Sequence, residues 1–155
     1  MRALIIFMMI CLPIRAHACS CLGPNDTSSL FNNADAVILA EVQKTHVVKT
    51  AYDDHDVEYI VATIDILETF KESTTKVQKV IDLVPNIGNC SIGLISGVEY
   101  LFFVHNTNDD HGKETLNERT TETQNYVGQC TGSHPVNMYH KNFKKKSNEL
   151  RQLGK

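Results

Sequence analysis

Two cysteines separated by one residue, Cys19 and Cys21, follow an apolar N-terminal run and constrain the fold of this chain more than any other feature. The run is too short to cross a bilayer, and Ala16 and Ala18 form the small-residue pattern that signal peptidase cleaves. We therefore predict a signal peptide over residues 1–18 and a mature chain that begins at Cys19. The protein is expected to be secreted to the extracellular space, or to the periplasm if it is bacterial. Lipidation of Cys19 is the alternative, but Ala16 stands where lipid-attachment signals usually have leucine.

The remaining cysteines predict a disulfide framework. The sequence has five cysteines, of which Cys11 is lost with the signal peptide, and the mature chain keeps Cys19, Cys21, Cys90 and Cys130. An even number in an oxidising compartment predicts two disulfides, and a Cys19–Cys21 bridge would be strained. Each N-terminal cysteine should therefore pair with Cys90 or Cys130, and the residues alone leave both pairings open. Each such bridge contributes about 4–5 kcal/mol in the chain-entropy model.

The body of the chain has the alternating hydrophobicity of β-strands. Strands are expected, in chain order, over residues 35–48, 57–70, 77–84 and 98–105, with a weaker one before Cys130. We expect one face of the second strand to line the core, and its residues are Ile60, Ala62, Ile64 and Ile66.

Two helices complete the pattern, a short one over residues 27–33 and a C-terminal one over residues 136–153. The second helix directs Lys144–Lys146 outward and has four apolar residues near helical spacing, which are Tyr139, Phe143, Leu150 and Leu153. These elements predict an all-β fold, a small five-stranded OB-like Greek-key barrel with a C-terminal helix, stapled by disulfides. We expect it to form a single domain over residues 19–155.

Composition and residue pattern exclude several classes of function. The chain has 15 basic and 18 acidic residues, and the signal peptide removes two of the arginines, so nucleic acid and anionic membranes are not expected as partners. No later apolar segment is long enough to span a membrane. No Ser/His/Asp or Cys/His arrangement remains once the cysteines are oxidised. We therefore predict that the protein is not an enzyme and has no cofactor of its own.

Several short motifs together resemble a known family. They are Cys19-Ser20-Cys21 followed by Pro24, the Phe31-x-x-Ala34-Asp35 entry to the first strand, Cys90 before Gly97-Val98-Glu99-Tyr100-Leu101-Phe102, and Cys130 before the helix. This pattern resembles the netrin-like module, and specifically the inhibitory N-terminal domain of the tissue inhibitors of metalloproteinases. The resemblance implies an OB-fold domain. Cys90 matches the middle of the pattern and Cys130 its second disulfide partner, so we favour the pairs Cys19–Cys90 and Cys21–Cys130.

The resemblance also implies a function. In this family the amine and carbonyl of the N-terminal cysteine chelate the protease zinc, the next side chain enters the primary specificity pocket, and a loop before the middle cysteine packs beside them. Carried over, Cys19 binds the zinc and Ser20 enters the pocket. The expected protease-binding residues are Cys19, Ser20, Cys21, Leu22, Gly88 and Asn89. The partner is then a zinc metalloprotease, which supplies the zinc, and we expect the inhibitor to be a monomer.

The residues themselves allow this mechanism. An N-terminal cysteine presents its α-amine beside its own carbonyl oxygen, and this pair of ligands could fill the open position of a catalytic zinc. In an extended segment Cys19 and Cys21 point to one side and Ser20 to the other, so two disulfides would hold the serine outward. The amine must be neutral to coordinate, and its ordinary pKa of about 7.7–8.0 makes that proton loss small near neutrality.

Other interpretations remain. A non-inhibitory netrin-like binding or adhesion module would use the cysteines only structurally, and a periplasmic thiol- or metal-handling protein would keep Cys19 and Cys21 reduced. Asp53–Asp56 and Asp109–His111 contain hard-metal ligands, but they lie between the expected strands and are predicted to be solvated turns. Lys144–Lys146 is predicted to be a solvated helix face, with a glycosaminoglycan or extracellular-matrix contact as the alternative.

Overall fold

The computed structural model describes residues 21, 26–52, 55–73, 76–85, 90–106, 125–136 and 140–155. The first half contains helix α1 (Thr27–Asn33) and strands β1 (Ala36–Tyr52), β2 (His55–Lys71) and β3 (Lys79–Leu83). The second half contains β4 (Glu99–Asn106), β5 (Asn125–Tyr126), a 3-10 helix (Gln129–Thr131), β6 (His134–Pro135) and helix α2 (His140–Leu153). Every predicted strand and both predicted helices are present. No helix in these ranges combines the length and hydropathy of a membrane span.

Five strands close into a barrel. β1 pairs antiparallel with β2, β2 with β3, and β4 with both β1 and β5. β5 runs parallel to β3, so the order β1-β2-β3-β5-β4 returns to β1 and closes the sheet. The short strand β6 pairs with β4 at Tyr100 and Leu101. This connectivity confirms the predicted five-stranded OB-like barrel.

Alternating residues of β1 fill two hydrophobic clusters because both faces of this strand are covered. The inner cluster, in the barrel interior, includes Ile38, Ala40 and Val42 of β1 and Tyr100 and Phe102 of β4. The outer cluster lies on the opposite face, between the barrel and the two helices, and includes Phe31, Val37, Phe70, Leu101, Phe103 and Leu150. The barrel therefore has a layer of two helices over one side, and the outer cluster packs α1 and α2 against β1 and β4.

The core-facing side of β2 only partly follows the prediction. The inner cluster includes, as predicted, Ala62, Ile64 and, packed against it, Ile60. Ile66 is instead 40% exposed. The register between β1 and β2 shifts there, since Leu39 pairs with Glu68 and Ala40 with Ile66, which leaves Leu67 as an extra residue. A β-bulge bends its strand and interrupts the alternation of side chains, so the prediction that Ile66 lines the core is wrong.

Helix α2 packs on the barrel through the predicted apolar residues Phe143 and Leu150, and its described start is His140. Tyr139 lies outside the described residues, and Leu153 is 37% exposed. The prediction that all three lysines point outward is wrong for Lys146, which is half-buried with its ammonium 5.3 Å from the centre of the Phe103 ring. The reason is helical spacing: Lys146 is three residues after Phe143 and four before Leu150, so it shares their face.

The first acidic segment, Asp53–Asp56, lies only partly between strands, so the prediction is wrong for its last two residues. His55 and Asp56 are the first residues of β2, where they pair with Tyr52 and Ala51 of β1. Pairing across the hairpin continues further than the hydrophobic pattern indicates, because backbone hydrogen bonds hold the two strands together whatever their side chains. Asp53 and Asp54 lie outside the described residues, and so does the second segment, Asp109–His111.

Helix α1 is anchored at both ends. At its start Asp26 accepts a hydrogen bond from the backbone N–H of Ser29 at 2.9 Å, and this hydrogen bonding lowers the pKa of the Asp26 carboxyl. At its end the Lys71 ammonium of β2 donates to the carbonyls of Phe31 and Asn32, at 3.0 Å each, and also to that of Ala34. The last carbonyls of a helix lack partners within it, so Lys71 ties α1 to the barrel.

Candidate functional site

A disulfide joins the start of the described chain to its last third. Cys21 is bonded to Cys130, with the two Cα atoms 5.1 Å apart and a sequence separation of 109 residues. Cys130 lies in the 3-10 helix that follows β5, and this helix is the element that fixes the N-terminal segment. The predicted Cys21–Cys130 pairing is therefore confirmed.

A third cysteine lies beside this disulfide. The Sγ atoms of Cys21, Cys90 and Cys130 are all within 4.8 Å of one another, and Cys90 is itself disulfide-bonded. Its predicted partner, Cys19, lies outside the described residues, so that pairing stays a prediction. Thiolate, not oxidised sulfur, is the metal ligand and the nucleophile. The sulfur cluster of the described residues is therefore a structural element and has no metal-binding or catalytic thiol.

The segment around Cys130 is held by a buried hydroxyl pair. Thr131 Oγ1 donates to the Gly128 carbonyl at 2.8 Å and lies 2.9 Å from Ser133 Oγ, which accepts from the Phe103 N–H at 2.9 Å. Gly132 has a φ of 88°, the left-handed region that favours glycine, and a Cβ there would lie 2.6 Å from the Leu30 side chain of α1. These contacts attach the segment to β4 and to α1, and through Cys130 they attach Cys21 as well.

The segment after Cys90 is held by a buried carboxylate. Asp82 of β3 is completely buried, and its Oδ2 accepts from Ser91 Oγ at 2.7 Å and from the N–H groups of Ile92 and Gly93 at 2.8 and 3.2 Å. Burial raises the pKa of this carboxyl, and the hydrogen bonds from Ser91 and the backbone oppose that effect. The Cys90 carbonyl itself accepts from the Gln129 N–H at 2.7 Å. Both ends of this short segment are thus fixed to the barrel.

A buried tyrosine holds the next turn. Tyr100 Oη donates to the Gly93 carbonyl at 2.8 Å and accepts from the Ile95 N–H at 3.1 Å. Gly93 and Gly97 have φ values of 66° and 79°, the left-handed region that favours glycine. Ile95, between them, is 61% exposed although its backbone is hydrogen-bonded. The turn therefore presents an apolar side chain on a fixed backbone.

The structure describes only some of the predicted site residues. Cys19, Ser20, Leu22, Gly88 and Asn89 lie outside the described residues, and their predicted roles stay predictions. The described neighbours of both predicted binding segments, Cys21 and Cys90, are brought together at the same sulfur cluster. No supporting role was predicted from the sequence for Asp82, Tyr100 or Thr131, three buried residues with polar groups. Tyr100 belongs to the Gly97–Phe102 motif, and Asp82 is a charge that follows the apolar residues Val80 and Ile81 in β3.

His134, beside this site in β6, should make the stability of the protein depend on pH. Burial, with a smaller effect of Lys146, lowers the pKa of His134 below its ordinary value of 6.5, and Nδ1 lies 2.8 Å from the Gly132 carbonyl. The unfolded chain therefore binds the proton more readily, and stability should fall as the pH drops below 6.5. The free energy of unfolding, measured with denaturant at pH 7 and at pH 5, should fall less in His134→Asn than in the wild type, because asparagine does not titrate. The asparagine amide N–H can still reach the Gly132 carbonyl. An equal loss in both proteins would contradict this assignment.

The fold and the site together define the class of this protein. A closed five-stranded barrel with a helical layer, whose N-terminal Cys-x-Cys segment is bonded to a cysteine just before the last helix, is a netrin-like module. The family model described as "Tissue inhibitor of metalloproteinase" matches residues 17–116, and the chain therefore belongs to this family. The match includes both predicted binding segments. No curated protein sequence gives a significant match to the chain.

Proposed function

We propose that this protein is a secreted inhibitor of zinc metalloproteases that binds the catalytic zinc of its target through the α-amine and carbonyl oxygen of Cys19. Membership of the tissue inhibitor of metalloproteinase family supports the inhibitory role. The observation that carries the proposal is the Cys21–Cys130 disulfide beside Cys90. This disulfide ties the chain to the barrel two residues after the proposed zinc ligand.

The disulfide matters because it restricts the chelating residue before the protease binds. A free N-terminal segment would have to be ordered on binding, at a cost of about 0.5–1.5 kcal/mol for each immobilised side chain and more for its backbone. With Cys21 fixed, and Cys19 joined to Cys90 as we propose, little of that freedom remains to be lost. The amine and carbonyl would then enter the open coordination position of the zinc together.

The neighbouring residues would set selectivity. In an extended segment Ser20 would point away from the two cysteines, and we propose that it occupies the substrate pocket next to the zinc. Leu22, and the loop residues Gly88 and Asn89 just before Cys90, would contact the protease on either side of this wedge. Two of the flanking residues, Cys21 and Cys90, have their sulfur atoms within 4.8 Å, which supports a single continuous binding surface.

The test is an inhibition panel with protein whose N-terminus has been verified as Cys19. We expect stoichiometric inhibition of at least one zinc metalloprotease and none of serine or cysteine proteases, which have no zinc to chelate. Ser20→Arg should weaken inhibition of most targets, because it places a long charged side chain where a small one fits. Ser147→Ala is a control variant, since this buried serine donates to the Lys144 carbonyl within α2 and its loss should leave inhibition unchanged.

Failure to inhibit any member of a broad panel would reject the proposal. The non-inhibitory netrin-like binding module would then be the better account of the same fold. A glycosaminoglycan contact at the helix lysines is weakened as an alternative, because Lys146 is half-buried against Phe103 and only Lys144 and Lys145 are exposed.

A further inference from the structure

Asp82 is the one charged residue among the buried residues of the described chain, and its burial needs an explanation. It stands in β3 next to Ile81 and Val80, both in contact with the barrel core. Burying a charge costs folding free energy. A protein with an apolar residue of similar size in such a place is often as stable or more stable. The carboxylate is therefore not accounted for by barrel stability alone.

Within the part of the chain that the structure describes, the Asp82 carboxylate accepts hydrogen bonds from backbone and side-chain donors of two short stretches. Oδ1 accepts from the N–H of the next residue, Leu83, at 2.9 Å. Oδ2 accepts from Ser91, Ile92 and Gly93, and Ser91 Oγ also accepts from the Gly93 N–H at 3.0 Å. One carboxylate thus joins the end of β3 to the three residues after Cys90, and charge-assisted hydrogen bonds of this kind are stronger than neutral ones.

The residues that Asp82 holds lie next to the proposed protease-binding residues. The proposed protease-contacting residues Gly88 and Asn89 directly precede Cys90, whose carbonyl accepts from Gln129. From the other side, Tyr100 holds Gly93 and Ile95. The stretch from Cys90 to Ile95 is therefore fixed by side chains from β3 and β4 and by the segment that has Cys130.

We propose that Asp82 is a positioning residue for protease inhibition, which fixes the Ser91–Gly93 backbone directly after Cys90, where the chain leaves the proposed protease-contacting residues. This inference rests on the proposed function and adds to it a residue that does not touch the protease. Preorganisation of a loop raises affinity by lowering the entropy lost on binding, so the effect of Asp82 should appear in the inhibition constant.

The first test is Asp82→Asn, which keeps the shape but replaces one acceptor oxygen by an N–H donor. We expect the inhibition constant for a sensitive metalloprotease to rise roughly tenfold. Ser91→Ala should give part of this rise, and the double variant should add little to Asp82→Asn, because both residues act through the same hydrogen bonds.

Leu150→Ala separates positioning from a general loss of stability. It removes a completely buried side chain from the outer cluster, on the other side of the sheet from Asp82, and should lower the free energy of unfolding without changing the loop. The inhibition constant of this variant should stay within twofold of the wild type. An equal rise in Leu150→Ala and Asp82→Asn, or no rise in Asp82→Asn, would overturn the proposal.

Amide hydrogen exchange tests the positioning itself, independently of any protease. Asp82→Asn should speed exchange at Ile92 and Gly93 at least tenfold, while Val136, whose N–H donates to the Glu99 carbonyl, should be unchanged. If wild-type protein inhibits nothing but these two amides respond, the proposed function fails and the hydrogen-bonding role of Asp82 stands. If the amides do not respond, the positioning role is wrong whatever the inhibition assay gives.

Discussion

Protein with one alanine added before Cys19 should lose at least roughly 30-fold in metalloprotease inhibition, equivalent to about 2 kcal/mol or more of binding energy. The added residue turns the α-amine of Cys19 into an amide nitrogen, which has no lone pair available for zinc, so the chelating pair of ligands is lost. The Cys21–Cys130 disulfide, the proposed Cys19–Cys90 disulfide and the barrel are untouched by the change. The measurement is the inhibition constant of the two forms against a protease that the mature form inhibits.

Two controls accompany this experiment. The thermal midpoint of the extended protein should match that of the mature one, because the added residue precedes Cys21 and the whole described barrel. Protein acetylated at the N-terminus should behave like the extended form, since acetylation removes the same lone pair without adding a residue. Extended protein that inhibits as strongly as the mature form would show that zinc chelation by Cys19 is wrong, even with the barrel correct.

Removal of the Cys21–Cys130 disulfide should destabilise the protein by about 3–4 kcal/mol. The bridge spans 109 residues, and a loop of about 100 residues corresponds to about 4.7 kcal/mol of chain entropy when it is the only cross-link. The proposed Cys19–Cys90 bridge already constrains the unfolded chain, which places the expected value below that figure. Denaturant unfolding of the Cys21→Ser/Cys130→Ser protein measures the difference.

The matching pair Cys21→Ala/Cys130→Ala separates the cross-link from the chemistry of the new side chains. Cys130 is exposed and Cys21 half-exposed, so neither pair should create a large cavity, and the two double variants should lose similar stability. A loss below about 1 kcal/mol in both would mean that the bridge does little to restrict the unfolded chain. Inhibition should also weaken in both, because the chelating segment is then free to move.

Much of the fold could be predicted because its signals are local. The alternation of Ile60, Ala62 and Ile64 with Val61 and Thr63 follows from the two-residue repeat of a strand. The N-cap Asp26 marks the start of α1 by a hydrogen bond to a residue only three positions away. The even number of mature cysteines limited the disulfides to few pairings, and the family resemblance selected Cys21–Cys130.

Other features depend on contacts that no local pattern contains. Ile66 is exposed because of a bulge opposite β1, and Lys146 is half-buried because Phe103 of β4 lies under its face of α2. In the sequence Asp82 is only a charged residue in β3. Its role depends on Ser91, Ile92 and Gly93, which the fold places against it.

The sequence by itself determined the strand pattern, the helix positions and the chemistry available at Cys19, since these follow from neighbouring residues. Only the tertiary structure decided which residues hold the candidate site in place. Cys21, Cys90 and Cys130 meet in space although they are far apart along the chain, and Asp82 and Tyr100 fix the segment after Cys90 from two different strands. Closure of the barrel is the physical reason, because it brings β3, β4 and the Cys130 segment together.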